Sequence, residues 1–286
     1  MTDAASPDPA RLDVLRARID ALDETLHNAL IERSGIIDEL IHAKGSRLSA
    51  GAIFRPGREA DMFRRLAARH GGSLPLPVIE HIWHIVIAAH TALQAPFRLF
   101  VDVSGDPLPS WDAARHLVGF AVPVEPCGGP GGVIDAMRET MDAEGSCLGL
   151  VPVAARGDWW LGLGGTGPLV MARTPAIARD GVDPDTGQDH TGGAAHWVLA
   201  PPLSDPVPFD VSLTRLRFPA NVDGSALEPF SPLALAAAES RGGEAWLVGG
   251  DVPRDLAALA LDSTPCGGYH RAVETGEGPD DLPEPA

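Results

Sequence analysis

No proline and, short of its end, only Gly35 interrupt residues 11–45. Apolar side chains recur there at Leu15, Ile19, Leu22, Leu26, Leu30, Ile37 and Leu40, at steps of three, four or seven residues. That period predicts one amphipathic helix. At ~1.5 Å per residue the helix is ~50 Å long. A helix of this length cannot bury its stripe against itself, so it requires a partner helix or a partner subunit.

Two cations sit where the stripe should be apolar. Arg33 follows Leu26 by seven residues, and Lys44 follows Ile37 by seven. An inward-facing charge must be paired or must bind an anion. One reading is an internal ion pair with Glu32 or Glu39; the other is a small dianion. Arg33 and Lys44 lie ~16 Å apart along the axis, close enough for two long side chains to lean onto one ligand. Arg16 is ~25 Å from Arg33 and cannot reach the same ligand on one straight helix. If all three act together, Arg16 comes from a second subunit, which implies an intertwined homodimer with shared sites. Lys44 is also the sole lysine of the chain. It is either a chance survivor of a drift towards arginine or a position that needs a lysine.

Gly45 and Ser46 end the first helix, and Gly51, Pro56 and Gly57 mark a loop. A second helix is expected over about 58–70. Gly71, Gly72, Pro75 and Pro77 break it, and a third helix is expected over about 78–94. Pro96 closes this helical region, 1–96. Phe97–Val103 then reads as a strand, and short apolar runs separated by Gly/Pro turns follow, with Val133–Ala143 a helix candidate. Residues 180–195 are rich in Gly, Asp and Thr and read as a mobile loop. The acidic, Pro-rich segment 274–286 reads as disordered.

The 286 residues suggest two or three domains. The net charge of −17 is uneven: residues 1–95 hold 11 basic and 12 acidic groups, and 96–286 hold 11 and 27. Nucleic acid and anionic membranes are poor partners for the acidic part. The start lacks the basic and apolar regions of a secretory signal. The most apolar stretch, Ile79–Leu93, contains His81, His84 and His90 and reads as a buried helix rather than a membrane span. A cytoplasmic location is expected. Cys127, Cys147 and Cys266 fit neither a disulfide framework nor a zinc site. No metal or cofactor motif stands out, and none is expected.

Several segments together carry a family resemblance. Leu15-Arg16-Ala17-Arg18-Ile19-Asp20-Ala21-Leu22-Asp23, Glu32-Arg33, Ala43-Lys44, Arg55-Pro56-Gly57-Arg58-Glu59-Ala60 and Gln94 resemble the all-helical chorismate mutases over about 11–95. The resemblance implies a three-helix domain in an intertwined dimer that converts chorismate to prephenate. It implies that Arg33 and the partner's Arg16 bind the two carboxylates. Lys44 would contact a carboxylate and the ether oxygen, and Gln94 would donate to that oxygen from the other side. Glu59 would accept from the ring hydroxyl, with Arg58 beside it.

Two positions depart from the pattern. Arg55 stands where several relatives carry an acid; it is a further carboxylate clamp or a solvated loop charge. His90 stands where a small residue is usual; it is a satisfied core histidine or a pocket residue that makes activity pH-sensitive. The reaction is unimolecular, so a site needs only to fold the substrate and to stabilise negative charge on the breaking ether bond.

Residues 97–208 resemble a degenerate prephenate dehydratase, an α/β region. Val103-Ser104-Gly105-Asp106-Pro107-Leu108-Pro109-Ser110-Trp111-Asp112-Ala113-Ala114 and Gly149-Leu150-Val151-Pro152-Val153 keep that family's order, but Leu108 and Ala154-Ala155-Arg156 replace its functional groups. The space for a second lobe is also short. Residues 209–273 resemble an ACT regulatory domain, an α+β fold, through Leu227-Glu228-Pro229-Phe230, Glu239-Ser240-Arg241 and Gly267-Gly268-Tyr269-His270-Arg271-Ala272. The resemblance implies phenylalanine as an effector. The proline missing after Arg241 points instead to a scaffold that helps dimerise or dock the helical part. Three other functions stay open: an isochorismate-pyruvate lyase on the same scaffold, a non-catalytic partner of an aromatic-pathway enzyme, and a bifunctional mutase/dehydratase, which the lost groups oppose.

Overall fold

A computed structural model describes residues 8–44, 53–178, 195–202, 208–240 and 243–273. The expected loop at 180–195, apart from Ala195, and the tail at 274–286 lie outside the described residues, as does the position after Arg241. The chain divides after Arg47 into two bodies. The first contains helix α1 (Pro9–Lys44), 36 residues long and unbroken at Gly35. Asp8 starts it: its carboxylate accepts from the Ala10 amide at 3.1 Å, and Pro9 occupies the first turn, where no donor is needed. Leu15, Ile19, Leu22, Leu26 and Leu30 are all exposed, Leu22 and Leu26 by more than 60%.

The second body joins helices α2 (Pro56–Arg69) and α3 (Leu76–Gln94) to a sheet-rich region. Strands β1 (Phe97–Asp102), β2 (Val124–Cys127) and β3 (Ser146–Pro152) are parallel. Their crossovers are helices α4 (Pro107–Val118) and α5 (Pro130–Asp142). Strands β4 (Leu169–Thr174) and β5 (His196–Ala200) extend the sheet antiparallel, with β5 between β3 and β4. The next strands are β6 (Val211–Arg217), β7 (Ala234–Ser240), β8 (Gly243–Gly249) and β9 (Asp262–Tyr269), with helices α6 (Gly224–Leu227) and α7 (Arg254–Leu259). They run β-α-β-β-α-β in the order β9-β6-β8-β7, every neighbour antiparallel, which is a split βαβ arrangement.

Among the described residues the nine strands belong to one sheet, ordered β2-β1-β3-β5-β4-β9-β6-β8-β7. Regions 97–208 and 209–273 meet where Val170 of β4 pairs with Gly267 of β9. Gly267 has φ +92°, and a Cβ there would collide with the Val170 carbonyl, so the junction needs glycine. Alternation along the strands sorts the core. Leu99, Val101, Leu148 and Leu150 face Ala88, Ala114 and Val118 on one side. Phe100, Cys147 and Val151 face Val133 and Met137 of α5 on the other, in a cluster that continues to Leu213, Leu247 and Cys266.

Helix α4 departs from the strand-and-turn expectation for this region. Gly105, Pro107 and Pro109 read as breakers, yet Asp106 caps the helix through the Leu108 amide (3.1 Å) and Pro107 takes its first turn. Helix α3 is apolar and long enough to span a membrane by length and composition. It instead buries Glu80, His84, Ala88, His90 and Thr91 and exposes Val78, Ile82, Ile85 and Leu93.

Candidate active site

On α1, Arg16 is exposed and forms an i,i+3 pair with Asp13 at 3.1 Å. Such a solvated pair is weak, well under about 1 kcal/mol, so it leaves Arg16 available to an anion. Arg33 is half-buried, two turns beyond Leu26, and Lys44 is the last residue of the helix. The backbone therefore keeps the predicted axial spacing of the three cations.

The remaining predicted residues lie on α2 and α3. Pro56 opens α2, and the Glu59 amide donates to the Arg55 carbonyl at 3.0 Å, closing the first helical turn. Arg55 is half-buried and Arg58 exposed. Glu59 turns inward: burial pushes its carboxyl up to about 7. A helix N-terminus favours an anion, but here desolvation dominates. On α3, His90 Nδ1 donates to the Val86 carbonyl at 2.6 Å. A carbonyl can only accept, so Nδ1 carries the proton. This bond favours the satisfied core histidine among the two readings of His90. Gln94 Nε2 donates to the His90 carbonyl at 3.3 Å, so its amide folds back along its own helix.

A cavity of about 80 Å³ opens between α2, α3, the end of α4, strand β4 and the segment after β9. Glu59, Phe63, His84, Thr91, Arg173 and Arg271 line it, among mainly apolar neighbours. Of the predicted site residues in this body, the cavity gathers Glu59 but not Arg55, Arg58, His90 or Gln94. Arg173 had no signal in the sequence, because only sheet pairing brings β4 to α2. Arg271 stood out only as part of the ACT-like motif. The buried Cys147 and Cys266 thiols are pushed up by burial, to about 12 and about 11, and are not nucleophiles.

A second polar cluster lies beside the cavity. Glu80 is fully buried on α3, and its Oε1 accepts from the Ala176 amide at 2.6 Å. The same oxygen lies 3.4 Å from His84 Nε2 and 3.7 Å from His116 Nε2 on α4. Burial alone would raise the Glu80 carboxyl, but the interactions with His116 and His84 outweigh it and hold it at about 2. Burial lowers His84, partly offset by Glu80.

The family described as chorismate mutase type II matches residues 15–95. A curated relative, the bifunctional chorismate mutase/prephenate dehydratase of Pseudomonas aeruginosa, is 27% identical over 95 residues. That match covers 32% of this chain and 26% of the relative, so the chain aligns with about a quarter of that protein's length. No solved structure matches. Helices α1, α2 and α3 begin and end within a few residues of where the sequence pattern puts them, and the family match takes in most of α1 and all of α2 and α3. Residues 15–95 thus match the chorismate mutase type II family, and a sheet-rich region follows them.

Proposed function

We propose that the protein is a chorismate mutase, an isomerase that rearranges chorismate to prephenate for phenylalanine or tyrosine synthesis. The family match over 15–95 carries the reading, because Arg16, Arg33, Lys44, Arg58, Glu59, His90 and Gln94 all fall inside it. Arg33 and the partner's Arg16 bind the substrate carboxylates, with Arg55 and Arg58 as flanking cations. Lys44 and Gln94 stabilise the negative charge growing on the ether oxygen; one such donor is worth about 3–4 kcal/mol. Glu59 accepts from the ring hydroxyl. No covalent intermediate and no cofactor enters the rearrangement. A chorismate-disappearance assay with prephenate detection tests the reading, run with and without phenylalanine and tyrosine. Absence of turnover by the folded protein overturns it.

The active form in this reading is a homodimer. Its support is the exposed apolar set on α1, together with Val78, Ile82, Ile85 and Leu93 on α3. Each leucine or isoleucine moved out of water is worth about 1.5–3 kcal/mol, a strong drive for a second copy to cover them. The sheet-rich region serves as a scaffold in the same reading. The β-α-β-β-α-β order of 211–269 favours the ACT-like assignment for 209–273. The parallel β-α-β-α-β run of 97–152 favours the dehydratase-like one for 97–208.

A further inference from the structure

We propose that Glu80, His84 and His116 form a binding site for one divalent transition-metal ion of the zinc class. Their ligand atoms all lie within 4.8 Å of one another. Two histidines and one carboxylate are a donor set that zinc takes, with a fourth position left for water. The separations from Glu80 Oε1, 3.4 Å and 3.7 Å, are long for charge-assisted hydrogen bonds, which run at about 2.7–2.9 Å. The shorter one equals the edge of a tetrahedron, since bonds of about 2.0–2.1 Å to a central ion put neighbouring ligand atoms ~3.4 Å apart, and the longer one lies slightly outside it.

A second observation points the same way. Glu80 Oε2 and His116 Nε2 are buried and have no hydrogen-bond partner among the described residues. Leaving a buried carboxylate oxygen and a buried ring nitrogen unmatched is costly, and an ion held by His116 Nε2 and by both oxygens of Glu80 removes that cost. The surroundings hold the ligands in place. The Ala176 amide orients the carboxylate (2.6 Å), His81 stacks on His116 at 4.9 Å and donates through Nδ1 to its carbonyl (3.1 Å), and Phe63 packs on His84 at 4.8 Å. Such neighbours fix ring orientation around metals. The ion would tie α3 to α4 and to the segment after β4. It lies outside the roles given above to the mutase residues. No metal motif was visible in the sequence because His116 comes from a helix 32 residues beyond His84.

The test is a cobalt titration of the full-length protein after chelator treatment, followed by zinc competition. The expected result is about one Co²⁺ per chain with the intense visible bands of tetrahedral coordination, displaced by zinc. His116→Gln should weaken binding roughly 100-fold or more while the far-ultraviolet circular dichroism is kept. A double variant, His27→Ala with His42→Ala, removes exposed α1 histidines without touching the fold of the second body and should bind as the wild type does. Three outcomes overturn the proposal: no tetrahedral cobalt spectrum in the wild type even at millimolar metal, unchanged affinity in folded His116→Gln, or loss of binding in the double variant. If His116→Gln does not fold, zinc should still shift two of the ten histidine ring signals in the wild type; a shift of none also overturns it.

Discussion

Replacing Glu59 by glutamine separates what this residue costs the fold from what it does for the substrate. Its folded pKa is about 7 against 4.5 for an ordinary glutamate, and the cause is burial. Below the lower value both states hold the proton and ionisation changes nothing. Between 4.5 and about 7 the unfolded chain ionises first, so stability falls as pH rises, by about 1.4 kcal/mol per unit. Above about 7 both states are ionised and the loss levels off at about 3 kcal/mol. Glu59→Gln removes this loss. The variant should therefore be more stable than the wild type by about 1 kcal/mol near pH 5 and by about 3 kcal/mol near pH 8.

Urea unfolding at both pH values reads the difference as a shift in midpoint at unchanged slope. The same variant should lose mutase activity. A ring hydroxyl donating to an ionised carboxylate is worth about 1.5–3 kcal/mol, and an amide oxygen keeps only part of that, so kcat/KM should fall about tenfold or more. In the wild type, kcat/KM should rise with pH through an inflection near 7, the free-enzyme pKa of Glu59, and the variant should lose that inflection. An equal stability gain at both pH values refutes the desolvation argument. An inflection that survives in Glu59→Gln refutes the assignment of the titrating group.

Lys44→Ala and Arg33→Ala should each abolish most mutase activity while circular dichroism and dimer mass stay unchanged, checked by steady-state kinetics and light scattering. Mixing inactive Arg16→Ala and Arg33→Ala subunits should restore partial activity, since each heterodimer would hold one intact shared site; no recovery after verified exchange counts against Arg16 acting in trans. Leu22→Asp places a charge on the exposed apolar face of α1 and should dissociate the dimer by sedimentation. Gly267→Ala meets both a positive φ and the Val170 carbonyl, so it should cost roughly 2–3 kcal/mol or more and lower the melting temperature by several degrees.

The parts legible in the sequence are those whose signal is local. The apolar period of 11–45, the glycines and prolines after Lys44 and Gly71, and the spacing of Arg16, Arg33 and Lys44 all lie along one stretch of chain. What escaped notice is non-local or hidden by residues with two meanings. Proline reads as a breaker at 107 and 109, although behind a capping Asp106 it starts a helix. The junction of the two sheet halves rests on one glycine opposite one carbonyl, which no periodicity announces. Arg173 and Arg271 reach the Glu59 cavity only through sheet order.

Helix α3 shows why a single periodicity can mislead. The apolar stretch Ile79–Leu93 reads as a buried helix, yet Val78, Ile82 and Ile85 are exposed. The described body buries Leu76, Glu80, His84, Ala88 and Thr91 instead, a stripe at steps of four, four, four and three that is just as helical but largely polar. A buried polar stripe survives only if something compensates each member. Around Glu80 and His84 the available compensation is His116, the Ala176 amide and the proposed ion. The displaced apolar stripe then faces out, and on the dimer reading it is covered by a second copy. The two faces make opposite demands on one helix. Substituting Ile82 by a charged residue should disturb association and leave cobalt binding intact, whereas Glu80→Gln should abolish cobalt binding and leave association intact.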